Sequence, residues 1–228
     1  MKEEVTGILL IAGSSTRYQK GYNKNFERIN NHPVFYYSLK VMEEIPSIKE
    51  ILLVIKKEEE IKVKEILKEE KMNHVKTIIG GNSRKESVYK ALKKSKYNIV
   101  LIHDGARPLI KEKFIKDCIQ SMKNYQGAVT AMPVKDTIKI INDKKEIETS
   151  TKREYTYIAQ TPQCFDKEIL LKLHEKYKND DSITDDAMLL EKENIKVKIV
   201  DGSYNNIKLT TKEDYIYIKE ILERGEEE

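Results

Sequence analysis

The chain has 228 residues, 39% hydrophobic and 35% charged, with a formal net charge of +4. A chain of this length buries about 70–75% of its unfolded surface around one substantial core, so a single domain over residues 1–228 is expected. No apolar run approaches the ~20 residues of a membrane span, the start MKEEVTGILLIAG does not read as a signal peptide, and the small, evenly spread charge argues against a nucleic-acid surface. Cys118 and Cys164 lack metal spacing and imply no disulfide framework, which makes the cytoplasm the expected compartment.

Val5 to Ala12 is an apolar run that ends abruptly in small residues, the pattern of a strand buried on both faces. Pro33 to Glu44 has helical spacing, Ile51 to Ile55 reads as a second buried strand, and a charged helix follows from about Glu58 to Lys71. Val75 to Ile79 forms a third strand, and Ser83 with Glu86 makes a capping box for a helix to about Lys94. Asn98 to Ile102 is the fourth strand, Lys111 to Lys123 a helix, and Gly127 to Val134 the fifth strand. This alternation gives right-handed crossovers and a parallel sheet covered on both faces. Alternating residues around Asn142-Asp143-Lys144 then read as a β-hairpin arm over about 136–157, a unit that is marginal alone and expects something to pack on. Ala159 to Phe165 returns to the body, and a helix follows from Asp166 to Lys178. A second helix begins at Thr184-Asp185-Asp186. Ile195 to Val200 and Ile207 to Leu209 read as late strands, and Thr211 with Asp214 caps the last helix.

In such a sheet, ligands bind beyond the carboxyl ends of the strands. Those ends carry Gly13-Ser14-Ser15, Gly80-Gly81, His103-Asp104-Gly105 and Pro133 to Thr137. Small residues at Ala12 to Ser15 let backbone amides approach an anion closely, with Arg17 and Lys24 to bracket a phosphate. Neither Gly-Lys-Ser/Thr nor G-x-G-x-x-G follows, which excludes a Walker A loop and a dinucleotide fingerprint. Of 42 basic residues only six are arginine, leaving 36 lysines. Arg17, Arg84, Arg107 and Arg153 all fall in loop-like segments, where a guanidinium can grip phosphate with two parallel hydrogen bonds. Asp104, at a buried strand end beside glycine, suits Mg²⁺, which takes one or two carboxylates plus phosphate oxygens and water. His103 reads as structural. Lys208, between apolar neighbours, must leave the core on one side, either toward an anionic site or as a snorkelling edge residue.

The motifs AGSSTR with Lys24, GGNSRKES, HDGARPL, PVKDTIK, AQTPQCF, TDDAM and NNIKLTT occur in this order. Together they resemble the 2-C-methyl-D-erythritol 4-phosphate cytidylyltransferases over about residues 5–222. The resemblance implies an α/β, Rossmann-like, mostly parallel sheet with helices on both faces and a protruding β-hairpin arm. It implies that Ala12, Gly13 and Ser14 hold the phosphates of CTP while Arg17 and Lys24 stabilise the transition state. Gly81 and Ser87 would contact the nucleoside, with Arg84 nearby. Asp104 would hold Mg²⁺ and substrate hydroxyls, supported by Arg107. Thr137 and Arg153 on the arm would reach a partner's site in a homodimer and grip the polyol phosphate, alongside Thr161 and Lys208. Lys24, Arg17, Arg153 and Lys208 form the implied catalytic set.

This chain has Ser15 where the family commonly has a second glycine, and Asn23-Lys24-Asn25 in place of Pro-Lys-Gln. Without the proline, a looser Lys24 loop is expected. The implied chemistry needs no general base, because a phosphate monoester is largely ionised at pH 7; the chain offers no Ser-His-Asp set. What the reaction needs is charge neutralisation at the α-phosphorus. Two alternatives stay open: the same transfer to ribitol 5-phosphate, and a regulator that holds CTP without transferring it.

Overall fold

The structure, a computed structural model, describes residues 3–13 and 23–225. The apolar run from Val5 becomes β1 (Val5–Leu10), buried almost throughout. Beyond residue 23, Arg28–Ile29 (β2) and His32–Pro33 (β3) form a small hairpin turned by Asn30 and Asn31, both at positive φ, a conformation asparagine tolerates better than most residues. The chain then alternates: α1 (Val34–Glu43), β4 (Ile48–Ile55), α2 (Glu60–Glu69), β5 (Lys76–Ile79), α3 (Arg84–Leu92), β6 (Ile99–Asp104), α4 (Glu112–Ser121) and β7 (Gly127–Pro133). The arm follows as β8 (Lys139–Ile141) and β9 (Ile147–Ser150). The rest is β10 (Tyr157–Asp166), α5 (Lys167–Lys176), α6 (Ala187–Glu191), β11 (Val197–Asp201) and α7 (Lys212–Arg224).

Seven strands make one sheet in the order β11-β7-β10-β6-β1-β4-β5. All neighbours are parallel except β10, which runs antiparallel between β6 and β7. One face packs on α1, α2 and α4 through side chains such as Phe35, Leu39, Ile66 and Phe114. The other packs on α3, α5 and α6 through Val88, Leu92, Leu170 and Leu189. The mostly parallel, doubly covered sheet expected from the alternation is therefore present. α7 closes a third cluster over the small hairpin with Ile29, Val34 and Ile218.

Three sequence expectations need correction. Ala159 to Phe165 is not merely a return segment but the core of the antiparallel strand β10. Its pattern is broken by a register shift between Ala159 and Gln163, and Pro162 falls at that irregularity, where a missing N–H costs no ladder bond. Ile207 to Leu209 is not a strand: Leu209 N–H reaches Ala106 O at 2.8 Å, but Ala106 lies in the turn beyond β6, so the segment has no strand edge to pair along. At α3 the Ser83 hydroxyl accepts from Glu86 N–H, yet the Glu86 carboxylate takes Asn82 N–H rather than closing the box on Ser83. Thr211 and Asp214 do form the full reciprocal box at α7.

The arm projects with Ile138, Ile140, Ile141 and Ile147 each 39–65% exposed. Asn142 organises its tip by accepting from Lys144 N–H and Glu146 N–H.

Candidate active site

The carboxyl ends of β1, β4, β5 and β6 open into a cleft of about 570 Å³. Its wall includes Ala12, Gly13, Lys24, Gly81, Arg84, Ser87, Asp104 and Lys208. Eight residues singled out in the sequence thus converge from segments up to about two hundred positions apart. Ser14 and Arg17 lie outside the described residues.

Gly81 sits where a Cβ would come within 2.2 Å of Glu86 Cδ, so only glycine lets the β5–α3 turn fold this tightly under the helix start. Ser87 Oγ accepts from Gly81 N–H at 3.0 Å and fixes that turn. At the end of β6, Gly105 N–H donates to Leu10 O, and a Cβ there would meet Ile11 Cγ2 at 2.4 Å. The close approach brings Asp104 beside the end of β1.

Asp104 is the electrostatic centre. Lys208 Nζ lies 2.6 Å from Oδ2, and Arg84 Nε lies 3.6 Å from Oδ1. Burial alone would raise its pKa, but Arg84, Lys208 and Arg107 override it and hold the carboxyl well below the usual range. The group is an anion throughout the physiological range. Arg84 also donates to buried Asp186 at 2.6 Å, which fixes the guanidinium from behind.

Lys24 is buried in a single turn of 3₁₀ helix, Lys24–Phe26. The looser loop expected from the missing proline is not what this turn shows. Asn23 accepts from Asn25 N–H at 3.1 Å and donates to Ile11 O at 2.7 Å, with a further bond to Glu59. Asn25 Nδ2 donates back to Asn23 Oδ1 at 2.8 Å. Two asparagines therefore do with hydrogen bonds what proline would do by restricting φ.

Arg107 and Thr161 stand behind the cleft rather than on its wall. Arg107 is half-buried and donates from Nη1 to Asn206 O at 2.7 Å; Asn206 in turn donates to Thr161 O at 2.9 Å. This bracing sets the path of the chain into Lys208. Thr161 Oγ1 accepts from Asp104 N–H at 3.1 Å and lies 2.9 Å from His103 Nδ1. His103 is fully buried, with Nε2 3.1 Å from Arg107 O. A carbonyl only accepts, so Nε2 carries the proton and Thr161 donates to Nδ1. The structural reading of His103 holds. Thr137 and Arg153 are exposed at the arm, away from this cleft; Arg153 Nη1 is 3.4 Å from Lys135 O.

Lys56, Lys57, Glu58 and Asn82 also line the cleft. Sequence reasoning missed them, although Lys56-Lys57 directly follows the buried run at Ile55, one of the strand ends that the fold designates. Asn23, Asn25 and Asp186 were missed too, since their roles are contacts between distant segments.

An open, mostly parallel sheet with a cationic cleft around one ionised aspartate is the architecture of a nucleotidyltransferase. Residues 5–224 match the family of 2-C-methyl-D-erythritol 4-phosphate cytidylyltransferases. A protein of that name from Alkaliphilus oremlandii is 42% identical over 225 residues, covering 96% of this chain and 95% of the relative. Another from Caldanaerobacter subterraneus is 39% identical over 96% and 99% of the two chains. The crystal structure of a 4-diphosphocytidyl-2C-methyl-D-erythritol synthase from Anaerococcus prevotii superposes with a TM-score of 0.87 at 33% identity, covering 98% of this chain and all of that one. The chain belongs to the 2-C-methyl-D-erythritol 4-phosphate cytidylyltransferase family.

Proposed function

We propose that the protein transfers CMP from CTP to 2-C-methyl-D-erythritol 4-phosphate, releasing pyrophosphate. An oxygen of the substrate phosphate attacks the α-phosphorus in line; the bond to the bridging oxygen of the β-phosphate breaks, and pyrophosphate leaves with that electron pair. The observation that carries this reading is the pair of Lys208 and Arg84 on ionised Asp104 in a cleft at the strand ends whose wall also holds Lys24, in a chain of this family.

The nucleophile is ionised at pH 7, so the chain's task is positioning and charge neutralisation rather than proton abstraction. Amides at Ala12, Gly13 and Ser14 approach the triphosphate, and Lys24 and Arg17 counter charge developing at the α-phosphate. Gly81 and Ser87 bound the nucleoside end, with Arg84 beside it. Lys208, held by Asp104, is in place to draw in the attacking phosphate, and Arg107 and Thr161 keep that pair in register from behind. Among the described residues no three His, Cys, Asp or Glu side chains gather as a self-sufficient metal site. The ionised Asp104 carboxylate on the cleft wall fits Mg²⁺ that arrives with nucleotide phosphates and water as its other ligands. The ion would supply charge compensation for the departing pyrophosphate, with Asp104 as its protein ligand.

The chain works as one domain whose arm, about 136–157, docks on a second copy in the cytoplasm. The row of exposed isoleucines on β8 and β9 supports that reading, and it gives Thr137 and Arg153 a place in the partner's cleft. The test is pyrophosphate release with CTP, Mg²⁺ and each polyol phosphate in turn. A kcat/KM higher with methylerythritol phosphate is the expected result. Preference for ribitol 5-phosphate would reassign the substrate, and no release with either would leave a CTP-holding regulator.

A further inference from the structure

α5 carries a buried histidine that the reaction scheme leaves unused. His174 is 3% exposed, and its Nε2 lies 3.0 Å from Oδ1 of Asp186, itself 1% exposed. The other oxygen of Asp186 takes Arg84 Nη1 at 2.6 Å, and the same guanidinium turns Nε toward Asp104 in the cleft. A line of polar contacts, buried at its α5 end, therefore runs from α5 through Asp186 and Arg84 to the centre of the site.

The chemistry of this line has one direction. A carboxylate only accepts, so His174 Nε2 carries the proton and donates it. His174 Nδ1 is buried with no partner among the described residues, so the ring's one anchored hydrogen bond is the one to Asp186. A carboxylate has two equivalent oxygens and can turn about its last torsion. With Oδ1 held by the imidazole, only Oδ2 faces Arg84, and the guanidinium is fixed at one angle. Without that donor, a buried oxygen loses its partner and the angle of Arg84 is no longer determined. A histidine serving only as core filler would need no polar atom here, among neighbours such as Leu170 and Leu173.

We propose that His174 is a positioning residue for the transferase reaction, acting through Asp186 to aim Arg84 at the bound nucleotide. This rests on the reading of Arg84 as a CTP-binding residue. It places a determinant of nucleotide affinity in the core, two side chains removed from the cleft.

The test measures CTP affinity by calorimetry and steady-state kinetics on the full chain. His174→Phe keeps a ring without a donor, His174→Asn has an amide too short to reach, and His174→Gln offers a donor near the Nε2 position. The Phe and Asn variants should raise Kd and KM for CTP about tenfold, the scale seen when groups that orient a ligand-holding side chain are lost, with kcat within about threefold. The Gln variant should return both constants to within about threefold of wild type. In an Arg84→Lys background, His174→Phe should add less than about twofold, because the guanidinium it aims is gone. If the Phe variant fails to fold, the Asn variant carries the same comparison. Wild-type CTP affinity in a folded Phe or Asn variant would overturn the proposal, as would failure of Gln to rescue or full additivity with Arg84→Lys. Wild-type protein that binds no CTP would instead overturn the reading of the cleft on which the proposal stands.

Discussion

Replacing His103 with glutamine should flatten the acid limb of the stability profile. Burial pushes the His103 pKa down to about 4, from an unperturbed 6.5, while its two nitrogens are engaged by Arg107 O and the Thr161 hydroxyl. The unfolded chain therefore takes up a proton below pH 6.5 that the folded chain refuses until about pH 4. The stability supplied by this group is complete above pH 6.5, falls as pH drops, and levels off below 4. At 1.36 kcal/mol per pH unit, the loss between pH 7 and 5 comes to about 2 kcal/mol. With a urea slope of roughly 2–3 kcal/mol/M, that moves the midpoint by close to 1 M. The glutamine variant starts lower at pH 7, by about 1–3 kcal/mol, because Thr161 loses its acceptor, but it lacks the titrating group. Urea midpoints at pH 7, 6 and 5 for both proteins are the assay. The gap between them should close by about 2 kcal/mol on acidification; parallel decline would refute the account of His103.

Lys24→Ala should reduce turnover by orders of magnitude with modest change in CTP affinity, read from kcat and calorimetry. Asn23→Ala removes the bonds to Ile11 O and Asn25 N–H; it should cost about 1–2 kcal/mol in urea unfolding and lower kcat by misplacing Lys24. Gly105→Ala forces a Cβ to within 2.4 Å of Ile11 and should destabilise by about 1–3 kcal/mol, measured by thermal unfolding. Mixing inactive Arg153→Ala and Arg17→Ala variants should restore part of the activity if the arm completes the partner's cleft; a mixture as dead as its components would argue against a shared site.

The alternation of strands and helices, the mostly parallel sheet and the strand-end loops were legible because buried parallel strands write themselves as continuous apolar runs, as at Val5 and Ile51. β10 escaped because its alternation is interrupted at Gln160-Thr161-Pro162, and that interruption is what delivers Thr161 to the Asp104 amide. Lys208 was legible as a cation out of place, but its setting was not: a strand was inferred where a single bond to Ala106 suffices. The missing proline at residue 23 pointed to a loose turn, because proline's restriction is visible in a sequence and an asparagine side chain's bond to Ile11 O is not. Asp186 was marked by the TDDAM motif and His174 by nothing, and the partners of both stayed illegible, since a helix-start aspartate and a core histidine look the same whether or not an arginine a hundred residues away depends on them.

The pairing of Asp104 with Lys208 spans 104 positions of chain. A ribosome that adds about 5–20 residues per second needs roughly 5–20 s to pass from one to the other. During that interval β1, β4, β5 and β6 are already available to assemble, and among the described residues Arg84 and Arg107 answer the charge of Asp104 before Lys208 exists. Lys208 is therefore the last of the described cleft-lining residues to be synthesised. A product truncated before Lys208 carries all seven strands of the sheet but lacks the lysine that pairs with Asp104 at their carboxyl ends.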